Sequence, residues 1–184
     1  QWRIEETWPP EDREPFTLEL ADCVNDGAFV GGGAPVVGGG QTVTVECPSM
    51  NEDRDLHISG LPTLHLSAVP TFDGGQVFIE MQDAETGMRI GHATMDVRYR
   101  AGGYDPQTVV PGQQITMMME FQGIDALLPA GHGLRFVFSD AGEDYLAPAC
   151  GSICTVHILP SLSTFEAPLV NRDPTNALMV PTAQ

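Results

Sequence analysis

The sequence predicts an all-β fold, a jelly-roll β-sandwich. Three observations carry that expectation. Apolar and polar residues alternate with period two over many short runs, turn residues separate those runs at close intervals, and helical periodicity is scarce. The first run is TVTVE, 42–46. It is followed by TLHLSAV (63–69), QVFIEMQD (76–83), HATMDVRY (92–99), QITMMMEF (114–121), LRFVFS (134–139) and TVHILP (155–160). Alternation at this length marks strands with one face in a core and one in water. Between the runs stand DGG at 73–75, ETG at 85–87, AGG at 101–103, PG at 111–112 and AGHG at 130–133. These residue types supply the backbone conformations that reverse a chain. LRFVFS reads as a core strand in which Leu134, Phe136 and Phe138 face one way and Arg135 and Val137 face the other.

Two stretches break the rhythm. Residues 27–41, GAFVGGGAPVVGGGQ, are glycine-rich with almost no polar side chains. No phosphate-loop context follows them, so the expectation is a surface excursion. The tail, 171–184, has Asp173 placed to cap a short helix and Pro174 to occupy its first position. The resulting organisation is a sandwich domain over 1–170, with an N-terminal arm at 1–15, followed by the tail.

At 184 residues the chain fits one domain. It begins at Gln1 rather than Met, which reads as a processed product or a piece of a longer chain. Acids number 25 against 8 bases, every base is arginine, and the formal charge is −17. That charge repels phosphate backbones and anionic lipid, so neither nucleic acid nor a membrane is an expected partner. Salt screens such self-repulsion within about 10 Å at 0.1 M and about 3 Å at 1 M. The composition therefore fits a halophilic setting, and equally an acidic mesophile domain.

The four cysteines, Cys23, Cys47, Cys150 and Cys154, allow three complete pairings. Cys150 and Cys154 are close enough to bridge a tight loop, and Cys23 and Cys47 flank the glycine-rich stretch and could join its ends. One or two disulfides would imply an oxidising, extracytoplasmic compartment. The C-x3-C spacing without a second close pair is a weak zinc signal, and no cofactor or metal is expected. His57, His65, His92, His132 and His157 include no H-x-x-x-H or H-E-x-x-H pair. No G-x-S-x-G elbow is present, so no catalytic residue is assigned. Asp140, Glu143 and Asp144 lack the calcium-loop pattern and read as a solvated acidic loop.

One longer pattern is familiar. HISGLPTLHLSAVPTFDGGQVFIEMQDAETG resembles the opening of the C-terminal β-domain of the X-Pro dipeptidyl-peptidase and bacterial cocaine esterase group, through Ile58, Gly60, Pro62, Asp73, Asp83 and Gly87. ATMDVRYR and VVPGQQITMMMEF resemble its next strands. LLPAGHGLRFVFSDAG resembles its G-H-R-L-R strand signature, with Gly133 where the family usually has arginine and Ala141 where an aromatic is common. WRIEETWPP resembles the segment that enters that domain. The likeness spans roughly residues 1–170. It implies a galactose-binding-domain-like jelly roll attached to an α/β-hydrolase domain that holds the whole catalytic triad.

The functional expectation is a non-catalytic C-terminal β-domain of a serine hydrolase, of dipeptidyl-peptidase or acyl esterase type. Such a domain packs on its catalytic partner, in the same parent chain or as a processed subunit, and is open to oligomer contacts. His132, Asp140, Tyr145 and Trp8 are the interface or pocket-framing candidates. An exposed apolar patch is expected near Trp2, Trp8 and the tail. The alternative is a free-standing carbohydrate- or ligand-binding jelly-roll module, against which the low aromatic content, 7%, counts. An enzyme in its own right ranks last, having no nucleophile, metal or phosphate-loop motif.

Overall fold

In a computed structural model the described residues are 7–26, 36–37, 41–49, 52–142 and 154–170. They form two antiparallel sheets. The first contains β1 (Arg13–Glu19), β3 (Val36–Val37), β5 (Leu56–Gly60), β6 (Thr63–Pro70), β9 (Ile115–Glu120), β10 (Ile124–Leu128), β12 (Val156–Ile158) and β13 (Thr164–Val170). The second runs β2 (Val24–Asp26), β4 (Val43–Glu46), β11 (Leu134–Ser139), β7 (Gln76–Asp83) and β8 (Arg89–Asp96). The chain passes repeatedly between the sheets, as in a jelly roll and unlike a meander. Helical structure among the described residues is limited to short 3-10 turns, and no helix is long and apolar enough to cross a membrane.

The alternating runs become strands because each has one row of side chains to bury. Leu134, Phe136 and Phe138 of β11 are fully buried, and Arg135 and Val137 are not. Val45 of β4 and Ile79 and Met81 of β7 extend the same layer. Leu64 and Leu66 of β6, Met117 and Met119 of β9, and Phe165 of β13 face them from the other sheet. The layers meet at Phe165, whose ring lies 5.0 Å from Phe136 and 5.9 Å edge-on from Phe121.

Two strands, β7 and β11, have the bounds that the alternation predicts. The run at 92–99 divides. Its strand ends at Asp96, whose side chain accepts from the Arg98 N–H at 2.9 Å and caps a 3-10 turn over Val97–Tyr99. Strands β1, β2, β3, β5, β10 and β13 were not among the predicted runs. β1 starts inside the segment expected as an arm and pairs with β13 over its full length.

β13 shows why pattern alone misses it. It carries Pro168, which cannot donate to a ladder. Pro168 lies opposite Pro15 of β1. On the other side, β13 pairs with β6 as far as Glu166 and with β5 from Leu169 onward. Pro168 therefore falls at the junction between two partner strands, where the chain bends through Gly60. Gly60 has φ +141°, and a Cβ there would come within 2.7 Å of the Pro168 ring. Glycine is needed at that bend for both conformation and space.

Cys23 and Cys47 form a disulfide, one of the pairings open from sequence, with Cα atoms 4.2 Å apart. Cys154 is also disulfide-bonded. Cys150, Trp2, Tyr145 and the tail from Asn171 lie outside the described residues. Of the glycine-rich stretch, Val36 and Val37 pair with His157 and Val156 of β12.

Candidate functional site

The two named candidates on the LRFVFS segment do not come together. His132 precedes β11 and Asp140 follows it. A six-residue strand separates its ends by about 20 Å. Asp140 is buried, and its carbonyl accepts from the Gln76 side chain at 3.0 Å. Just beyond it, Gly142 lies over the ring of Phe78, where a Cβ would sit 2.5 Å from the ring. Phe78 is buried although it is on the outer side of β7, so the chain leaving β11 covers that part of the second sheet.

His132 belongs to a compact polar cluster between two turns. Asp83 ends β7 and Glu85 sits in the turn that follows. His132 lies in the turn before β11, which Gly131 opens with φ +80°. The turns are close because Leu134 pairs with Asp83 across the sheet and the Ala84 N–H donates to the Gly133 carbonyl at 3.0 Å. His132 Nδ1 is 2.9 Å from Asp83 Oδ2 and 3.7 Å from Glu85 Oε2. Asp83 Oδ1 also accepts from the backbone N–H groups of Glu85 at 3.0 Å and Thr86 at 3.3 Å. The Gly133 N–H donates to Glu85 Oε2 at 2.9 Å. Arg135 closes the edge, donating to the Ala84 carbonyl at 2.7 Å and pairing with Glu46 at 2.8 Å.

The Asp83 side chain is only 3% exposed. Burial pushes its carboxyl group up, but hydrogen bonds from His132, Thr86 and Glu85 outweigh that and hold it down at about 2. Asp83 is thus charged at neutral pH and anchors both turns. The oxygen and nitrogen donors of Asp83, Glu85 and His132 all lie within 4.8 Å of one another. Sequence reading singled out His132 but not its two partners. The available signal was the pairing of an aspartate that ends one strand with a histidine that opens another, 49 positions later.

A second feature surrounds Trp8. Its indole is 52% exposed and lies against Gly123, in the turn between β9 and β10. Arg13 Nη1 ties this segment to β1 by donating to the carbonyls of Pro9 at 3.2 Å and Pro10 at 2.8 Å. Beside it, at the Gly60 bend, is an open trough of about 310 Å³. Pro9, Pro15, Leu61, Ala167 and Pro168 give it apolar walls, with Arg13, Glu14, Thr63 and Glu166 at its polar positions. Leu61 is 45% exposed. Of the apolar patch expected near Trp2, Trp8 and the tail, only the surroundings of Trp8 fall within the described residues, and there the trough lies on the side of the first sheet where β1 and β13 carry their prolines.

The model for the X-Pro dipeptidyl-peptidase C-terminal non-catalytic domain matches residues 49–146, over half of the chain and from β5 through β11. No curated protein matches. Among solved structures, a CocE/NonD family hydrolase from Staphylococcus aureus is similar with a TM-score of 0.68 at 12% identity, covering 92% of this chain and 39% of that one. An aminopeptidase from the marine sediment archaeon Thaumarchaeota archaeon gives 0.63 at 12% identity, covering 92% and 38%. An α-amino acid ester hydrolase gives 0.56 at 14% identity, covering 90% and 34%. At these identities the likeness is one of fold, and this chain spans about two-fifths or less of each of those proteins.

Proposed function

Because the chain belongs to the X-Pro dipeptidyl-peptidase C-terminal non-catalytic domain family, we propose that it is the non-catalytic β-domain of a serine hydrolase of dipeptidyl-peptidase or acyl esterase type. In this reading it packs on an α/β-hydrolase domain and helps wall that domain's substrate pocket. The observation that carries the reading is the family match over residues 49–146, joined by the recurrence of this fold over 34–39% of the length of chains named as hydrolases and an aminopeptidase. Fold alone does not assign an activity. What supports a packing role is the apolar trough, because half-exposed Trp8 and Leu61 beside a proline-lined concavity resemble the anchor-and-pocket composition of interfaces. The docking edge in this reading is the Trp8 side. His132 is already engaged by Asp83, and Asp140 is buried.

The test is turnover of p-nitrophenyl acetate and X-Pro p-nitroanilides. It is run on this chain alone and on the chain joined to the hydrolase segment encoded upstream of it. The isolated chain should show no turnover above a heat-inactivated control, and the joined protein should be active. Trp8→Asp with Leu61→Asp should lower activity of the joined protein while leaving the isolated domain folded. Turnover by the isolated chain would overturn the reading, as would a gene with no G-x-S-x-G segment upstream.

A further inference from the structure

We propose that Asp83, Glu85 and His132 form a binding site for one divalent first-row transition ion, of the zinc or manganese type. The site is independent of the hydrolase reading. It rests on where three donor atoms of different kinds have been brought.

The donors are one imidazole nitrogen and two carboxylate oxygens, from two turns that are 49 positions apart in sequence. His132 Nδ1 stands 2.9 Å from Asp83 Oδ2 and 3.7 Å from Glu85 Oε2. Around an ion with bonds of about 2.1 Å, neighbouring ligands lie about 3.0 Å apart in an octahedron and about 3.4 Å apart in a tetrahedron. The two separations from the imidazole bracket those edges, and the two carboxylate oxygens lie within 4.8 Å of each other, so side-chain adjustments would place all three donors on one ion.

An Asp–His hydrogen bond by itself would suffice to hold the two turns together. It does not account for Glu85. That carboxylate is steered toward the same nitrogen by the Gly133 N–H, which sets a second negative group against the buried Asp83. One imidazole, even protonated, balances only one of the two. A divalent ion in place of the Nδ1 proton balances both. Asp83 is buried while Glu85 and His132 are partly exposed, so the remaining coordination positions would open to water. An imidazole nitrogen with carboxylates favours zinc, manganese, iron, cobalt or nickel over calcium or magnesium, which take oxygen sets. The ion would fasten the β7–β8 turn to the β10–β11 turn and stiffen that edge of the second sheet. With three protein ligands and open positions, it would also resemble a site able to bind an exogenous anion.

The test uses the whole chain, stripped with a chelator and dialysed. Zinc and manganese are titrated in by calorimetry, and thermal unfolding is followed in parallel. One ion per chain should bind. At a hundredfold excess over Kd, the midpoint should rise by roughly 5–10 °C. Glu85→Gln should weaken binding by at least about tenfold while leaving the midpoint of the stripped protein within about 2 °C of the parent. His132→Gln should abolish binding, and its midpoint should no longer respond to metal. Absence of saturable binding by either ion below about 100 µM would refute the site, a level at which a three-ligand site should be filled. Binding that is unchanged in Glu85→Gln would equally refute it, by placing the ion elsewhere.

Discussion

Gly133→Ala tests how tightly β11 is fitted to the disulfide. Gly133 has an ordinary backbone conformation, so its role is spatial. A Cβ at this position would overlap the Cys47 carbonyl oxygen and lie 3.2 Å from both the carbonyl carbon and the oxygen of Pro48. The Cys47 backbone cannot easily recede. Its N–H donates to the Leu134 carbonyl at 2.8 Å, and its sulfur is bonded to Cys23. Gly133 is tied as well, donating to Glu85 and accepting from Ala84. Overpacking of this kind costs about 1–3 kcal/mol, and two tethered backbones place the expectation near about 3 kcal/mol. For a chain of this size that corresponds to a fall in Tm of roughly 6–12 °C. Urea denaturation followed by circular dichroism gives the number directly. In a Cys23→Ser, Cys47→Ser background the same substitution should cost less, because Cys47 is then freer to move. A loss below about 0.5 kcal/mol in the disulfide-bonded protein would show that the approach of Cys47 is not rigid and that the argument is wrong.

Three further outcomes can be measured. The double variant Cys23→Ser, Cys47→Ser opens a loop with a sequence separation of 24, and chain entropy puts the loss at about 3–3.5 kcal/mol, readable as the shift in urea midpoint with and without reductant. Asp83→Asn in metal-free protein should cost about 2 kcal/mol at pH 7, since the folded carboxyl sits at about 2 against the usual 3.8. Because the folded value is the lower one, this contribution is full above about pH 5 and fades as pH falls toward 2, so the two proteins should converge in acid; a gap that stays constant with pH would contradict the charge argument. Phe165→Ala removes the ring that joins both sheets through Phe136 and Phe121 and should cost about 3–5 kcal/mol; thermal unfolding within 2 °C of the parent would show that the sheets do not depend on that contact.

Several features of the fold were legible because they depend on local alternation. In β7 and β11, one face buries Val77, Ile79 and Met81, or Leu134, Phe136 and Phe138, and each run has enough period-two signal to fix both bounds. β5 and β10 are five residues each, too short to stand out, and hold together by pairing Ile124 with Gly60 through Leu128 with Leu56. β13 contains the proline that argues against a central strand, and it is tolerated because its partners change at that point.

The site divides the same way. The sequence alone determined an acidic, two-layer β domain, the division of β11 into two faces, and the turn residues at its start. It also picked out His132 as a turn residue and offered Cys23–Cys47 among the possible pairings. Only the tertiary structure chose the partners. It joined Cys23 to Cys47 and separated His132 from Asp140 by the length of a strand. It also brought His132 against Asp83 and Glu85. Alternation records which way a side chain points, a property of neighbours along the chain. Contacts between turns 49 positions apart are set by sheet register, which depends on how whole strands pair and bury their faces together.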